Sequence, residues 1–142
     1  MIDFSRNLAA LLQAAFETQG MEVPVYCNAD GLNAEPQFCL LTLSSADEKV
    51  EYNATMQLAF NLEAGLRLPL FAAEDAPDFE AWGAGLHAAV QSMLAGLLKY
   101  EPLPGQAAGS PLVLQWWTTT PQAQASEAGY AATMELNMVV QF

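Results

Sequence analysis

VEYNATMQLAFNL, Val50–Leu62, holds a two-residue period from end to end. Val50, Tyr52, Ala54, Met56, Leu58, Phe60 and Leu62 are apolar. Between them stand Glu51, Asn53, Thr55, Gln57, Ala59 and Asn61, polar with one exception. A strand sends successive side chains to opposite faces, so this pattern predicts one buried face and one face outside that core. The closing run YAATMELNMVVQF repeats the device, with Tyr130, Ala132, Met134, Leu136, Met138, Val140 and Phe142 on one side. Thirteen residues at about 3.3 Å each span roughly 40 Å, well past the usual strand of five or six. Such length predicts a hairpin that projects from a small core. An exposed long strand invites pairing with another chain unless charge protects it, and only Lys49 is near. The segments Ala54-Thr-Met-Gln-Leu58 and Ala132-Thr-Met-Glu-Leu136 share a pattern. Either the two strands meet the same packing environment or the chain repeats itself.

Working outward, Phe4, Leu8, Leu11, Leu12, Ala15 and Phe16 follow helical spacing and predict an amphipathic helix over 3–19. Asp3 or Ser5 can cap its start and Gly20 can stop it. Glu22–Cys27 reads as a short strand, placed at an edge by Pro24. Asn28–Asn33 has turn chemistry. Phe38–Leu43 reads as an apolar strand, and Ser44–Glu48 as a polar connection into the long strand at Val50. That strand breaks at Gly65 and Pro69. The acidic segment Ala72–Asp78 carries Pro77, suited to a first helical turn, with Asp75, Asp78 and Glu80 favourable at a helix N-terminus. A second helix is expected over Phe79–Leu98, its stripe made by Phe79, Trp82, Leu86, Val90, Met93, Leu94 and Leu97. Gly83, Gly85 and Gly96 weaken that helix, and close packing on a sheet would account for them. Glu101–Pro111 reads as a loop, Leu112–Thr120 as a strand, Pro121–Gly129 as a polar loop. The fold class that results is α+β. Two helices pack on one face of a mostly antiparallel sheet in the order α-β-β-β-α-β-β, with long projecting strands, in one domain over 1–142.

Composition bounds the function. The 142 residues are 53% hydrophobic, so disorder is excluded as a general description. A chain this long buries roughly 70% of its unfolded surface and needs no metal or disulfide to fold. Sixteen acids face four bases, the scattered Arg6, Lys49, Arg67 and Lys99, for a net charge of −12. Clustered cations are required to neutralise phosphates, so neither nucleic acid nor an anionic membrane is an expected partner of the surface. No apolar run reaches the roughly 18 residues of a membrane span, and the N-terminus lacks the basic start of a signal peptide. Cys27 and Cys39 read as free thiols without an export signal, although neighbouring strands leave a disulfide open.

No catalytic constellation stands out. His87, the sole histidine, sits on the second predicted helix with no partner to make it a base. Neither cysteine has cations beside it to lower its pKa. The serines lie in no G-x-S-x-G setting, and there is no P-loop or dinucleotide-binding glycine motif. The acid groups Asp47, Glu48, Glu51 and Glu74, Asp75, Asp78, Glu80 lack the spacing of a calcium loop. One histidine and two cysteines leave a zinc site short of a ligand. Catalytic, cofactor and metal residues are therefore all expected to be none. Trp116-Trp117 is the more informative pair. Adjacent strand residues face opposite ways, so one tryptophan enters the core and the other faces outward, where it would be a favoured interface anchor. Trp116 and Trp117 head the oligomer-interface candidates. Thr55, Gln57, Asn61, Glu135 and Asn137 join them on the polar outer face, whose composition suits a wet protein–protein contact.

The layout of Phe4–Phe16, Glu22–Cys27 with Phe38–Leu43, Val50–Leu62, Phe79–Leu98, Leu112–Thr120 and Tyr130–Phe142 resembles the tail terminator, or tail-completion, proteins of long-tailed bacteriophages of the lambda type. The resemblance covers nearly the whole chain. It rests on order and pattern, and no individual functional residue is carried over from it. It implies a non-enzymatic virion protein forming a hexameric ring that caps the tail tube, ends its polymerisation and meets the head connector or neck proteins. DNA would pass through the lumen without specific binding. Assembly would take place in the bacterial host cytoplasm, with no cofactor and no membrane. Another neck or head–tail joining protein, or an α+β domain binding a small ligand or peptide between helix and sheet, is the alternative.

Overall fold

The computed structural model describes residues 2–27, 36–51, 53–67, 78–106 and 109–141. The predicted turn over 28–33 and the 68–77 segment with Pro69 and Pro77 lie outside them. The elements are α1 (Ile2–Thr18), β1 (Val25–Tyr26), β2 (Gln37–Glu51), β3 (Asn53–Arg67), α2 (Phe79–Ala95), β4 (Leu112–Thr118), β5 (Gln122–Ser126) and β6 (Gly129–Gln141). The expected order stands, with one strand more. One sheet runs β1-β2-β3-β6-β4, and β5 also pairs with β6.

The alternation deciphered above builds the centre. β3 and β6 pair antiparallel from Thr55↔Gln141 to Arg67↔Gly129. Their even residues Leu58, Phe60, Leu136, Met138 and Val140 have no exposure at all. Both helices cover this one face. Phe4, Leu8, Leu12 and Phe16 of α1 and Trp82, Leu86, Val90 and Leu94 of α2 are all buried against it. The Phe4 and Phe60 rings stack at 6.3 Å, and Trp82 lies 5.5 Å from Tyr130. The Trp82 indole N–H donates to Gln37 Oε1 at 3.3 Å, so the buried ring keeps its polar end satisfied. Each such aliphatic or aromatic burial contributes about 2 kcal/mol before entropy.

Helix ends follow their caps. The N–H of Gly20, at φ 77, donates to Glu17, and that of Met21 donates to Phe16, which together close α1 in a Schellman motif. α2 ends at Ala95 rather than Leu98, because Gly96 caps it with its N–H on the last-turn carbonyls. Its glycines are not explained by close approach to the sheet. Gly83 faces open space, Gly85 meets the Met21 thioether, and Gly96 is the cap itself.

Several strand boundaries differ from expectation. Ser44–Glu48 is not a connection but the middle of β2, which continues to Glu51 around a bulge between Leu43 and Ser45. The Val50–Leu62 pattern therefore straddles the turn of the β2–β3 hairpin, with Val50 and Glu51 ending one strand. The hairpin overhangs its neighbour little: only Val50↔Ala54 and Glu51↔Asn53 lie beyond the last β3–β6 pair. β1 is reduced to two residues at the sheet edge and runs parallel to β2. The segment read as a loop over Pro121–Gly129 contains β5, which extends the β4 edge along β6. Strand β4 ends at Thr118 rather than Thr120.

The repeated Ala-Thr-Met pattern now acquires a meaning. Each half of the chain gives a helix and then a hairpin. At one constant offset Phe4, Leu8, Leu12, Ala15 and Phe16 correspond to Trp82, Leu86, Val90, Met93 and Leu94, every one of them buried. The same offset carries Ala59 onto Asn137, and these are direct partners in the central ladder. That pair is where a two-fold axis relating two equal units would pass.

Candidate functional site

Nothing in the helix layer assembles chemistry. His87 is exposed on α2, with its Nε2 3.4 Å from the Gln91 side-chain amide. Cys27 and Cys39 are free thiols. Burial pushes the Cys39 thiol up to about 12, and Glu63 adds to the rise. Burial also raises Cys27, against the opposing charge of Arg6. Neither is a poised thiolate. Among the described residues no three His, Cys, Asp or Glu side chains come together as a metal site. The side chains of Asp47, Glu48 and Glu51, and residues Glu74 and Asp75, lie outside what is described. Asp78 caps α2 by position without a side-chain hydrogen bond. No helix of the described residues is long and apolar enough to cross a membrane.

Two concavities bear on the faces of the sheet, beside a third between α1 and β1 lined by Arg6, Gln13 and Cys27. One is an apolar gap of about 30 Å³ between α2 and the sheet, lined by Phe16, Leu62, Leu86, Val90, Pro121 and Met134. It is far below the several hundred Å³ of a ligand pocket. The other is an open groove of about 340 Å³ on the outer sheet face, with Phe38, Gly65, Arg67, Gln124 and Ser126 around it. The Phe38 ring lies over Gly65, where a Cβ would come within 2.6 Å, and the Arg67 guanidinium sits 5.2 Å from the ring centroid. This cation–π stack fills the groove wall with the protein's own side chains.

The outer face is the remaining candidate, and the register shows how the sequence candidates meet there. Trp117 pairs with Asn137, which pairs with Ala59. One rung along, Glu135 pairs with Asn61. Thr55 and Gln57 follow on β3, both half-buried. Trp117 is the outward tryptophan, at 39% exposure, and Trp116 is the inward one, packed against the core. Asn61 and Glu135 are exposed. Asn137 is only 5% exposed, although no helix covers this face. Its amide donates to Glu135 Oε1 at 2.9 Å, so its contribution is to hold Glu135 in place. Glu135 is fixed a second way: its backbone N–H donates to Thr119 Oγ1 at 2.8 Å.

Two further exposed apolar side chains escape the sequence patterns. Leu98 is 68% exposed and Tyr100 69%. Leu98 closes the predicted helix without belonging to its stripe, and with α2 ending at Ala95 it lies beyond the last turn. Tyr100 holds φ 64, the left-handed region that a tyrosine rarely adopts, and its N–H donates to the Val113 carbonyl at 2.7 Å. No sequence signal marks that conformation.

No family model matches the chain, and no curated protein matches it. Among solved structures, the chain is similar to one in a structure titled "Virion of native gene transfer agent (GTA) particle". The TM-score is 0.45 at 16% identity, over 95% of this chain and 84% of that one.

Proposed function

We propose that this chain is a bacteriophage structural protein that works as a homo-oligomeric ring, ending tail-tube polymerisation and joining the tail to the head connector. The observation that carries the reading is the bare sheet face. Both helices lie on one side of a long, open sheet, and the other side presents Trp117, Asn61, Glu135 and Thr133 as exposed side chains. An outward tryptophan on a fixed polar lattice suits a subunit contact. The order of helices and hairpins, which resembles that of tail terminators, supports the same reading. The acidity fits a lumen through which DNA passes without being gripped. The reading gives the chain no catalytic step and no cofactor, and it places the protein in the tail or neck of the virion.

The test adds purified protein to tail-tube protein during polymerisation and measures tube lengths by electron microscopy. Shortened tubes with a ring at one end are expected. Unchanged lengths and bare ends at a molar excess of the protein would overturn the proposal.

A further inference from the structure

We infer that copies of this chain join edge to edge, the β4–β5 edge of one copy pairing with the β2 edge of the next. The inference rests on the ring reading above and names the surfaces that make the ring. Its first support is where the exposed apolar side chains gather. The large hydrophobics exposed among the described residues are Leu98, Tyr100 and Trp117. All three belong to one edge. Trp117 is on β4, Tyr100 is hydrogen-bonded to Val113 of β4, and Leu98 precedes it by two residues. Apolar surface grouped beside one strand marks a contact.

The second support is the backbone. Beyond the Glu101–Val113 bridge, no described residue pairs with the outer side of β4 or β5. On the far side of the sheet, among the described residues, β2 has an outer partner strand only in β1, at Cys39 and Leu40. Every residue of β5 is exposed, and so are Ser44, Ser45 and Ala46 of β2. Unpaired strand edges of this kind are templates for pairing, and natural monomers block them with charge. Leu112–Ser126 and Gln37–Ala46 contain no charged residue, in a chain of net charge −12, and the ladder sets Trp117 level with Ser45 and Gln124 level with Phe38. They are strips on which two copies can meet without opposing their acids.

The third support is polarity. β2 is antiparallel to β3, β3 to β6, and β6 to β4 and β5. It follows that β4–β5 and β2 point in opposite directions. A second copy placed in the same orientation therefore continues the antiparallel ladder without reversal. Because the two edges differ, the contact is head-to-tail, and such contacts close into rings when the rotation allows. All helices then lie on one side of the continuous sheet, and the lattice of Asn61, Thr133 and Glu135 lies on the other.

Cross-linking between copies tests it. In a Cys27→Ser background, chains with Ser45→Cys are mixed with chains with Gln115→Cys, which the ladder places within two residues of the same level, and treated with a short bis-maleimide. Cys39 stays silent, being 2% exposed with its thiol pushed up to about 12. Cross-linked pairs are expected in the mixture, and a ladder of higher species in the double variant, with nothing in either single variant. Thr42→Cys with Thr119→Cys samples a second level of the same ladder. Tyr100→Gly is the companion variant. It removes the ring and relieves the φ of 64, so the monomer's urea midpoint holds or rises while self-association weakens by at least about tenfold, the loss of one anchor. An oligomer by light scattering that cross-links at neither pair and associates normally as Tyr100→Gly would overturn edge pairing and leave the ring reading standing. Cross-linking within Gln115→Cys chains alone would replace the head-to-tail contact with a two-fold one. A chain that stays monomeric at every concentration, alone and on tail tubes, would sink both.

Discussion

At the scale of single residues, two glycines of one sheet carry different burdens. Gly129 begins β6 at φ 151, and a Cβ built there would fall 1.9 Å from the Leu66 carbonyl oxygen. Neither the backbone conformation nor the contact can relax without moving β3. Gly65 makes room instead for the end of the Phe38 ring, which can swing away. Gly129→Ala is expected to lose about 3 kcal/mol or more in urea unfolding, and Gly65→Ala less than half of that. Equal losses would show that Phe38 is as fixed as backbone. Cys39 supplies a pH dependence. Its folded pKa of about 12 exceeds the 9.0 of a solvated thiol. Below pH 9 the thiol is protonated in both states and the stability is whole. Between 9 and 12 the unfolded chain gives up its proton while the native chain keeps it, so stability falls as pH rises. The urea midpoint of the wild type should decline through that window, and Cys39→Ala should flatten the decline. The outward member of Trp116-Trp117 had to be read from structure, since adjacent strand positions guarantee one tryptophan per face without saying which. Register settles it by pairing Trp117 with Asn137.

At the scale of elements, the strands buried on one face were legible and the exposed ones were not. β3 and β6 announce themselves because burial of every second residue against α1 and α2 forces the alternation. β5, QAQAS, is exposed throughout and so has no apolar partner to leave a period in its sequence. The Ser44–Ala46 stretch of β2 reads as a connection for the same reason, being held by the β3 backbone while its side chains face water. The parallel pairing of β1 leaves no mark either, because two backbone partners at Cys39 and Leu40 demand no particular side chain. The apolar stripe outruns α2 because Leu97 is buried after the helix has ended, and burial alone cannot separate a last turn from the segment that follows it. These differences predict unequal local stability. In amide hydrogen exchange the β3 and β6 amides should be the slowest of the strands, and those of β1 and β5 should exchange orders of magnitude faster. Protection of β5 that rises with protein concentration would be the mark of its edge becoming paired between copies.

At the scale of the whole molecule, the net charge of −12 and the uncharged strand edges oppose each other. Repulsion between acidic copies acts over a Debye length of about 10 Å at 0.1 M salt, while edge pairing is a short-range contact. Light scattering should therefore give a mass that rises toward a hexamer with protein concentration, and more readily at physiological than at low ionic strength. A mass that falls as salt is added would mean that charge, not strand pairing, holds the copies together. The architecture has a consequence for how the protein is made. β6 stands in the middle of the sheet, between β3 and the β4–β5 edge, yet it is the last of the eight elements to leave the ribosome. Until it arrives, α1, β2 and β3 form a half-unit whose β3 edge has no ladder partner, and pairs such as Thr55 with Gln141 must close a very long loop. A chain cut short before Gly129 thus cannot build its own centre and has no complete sheet to offer a neighbour.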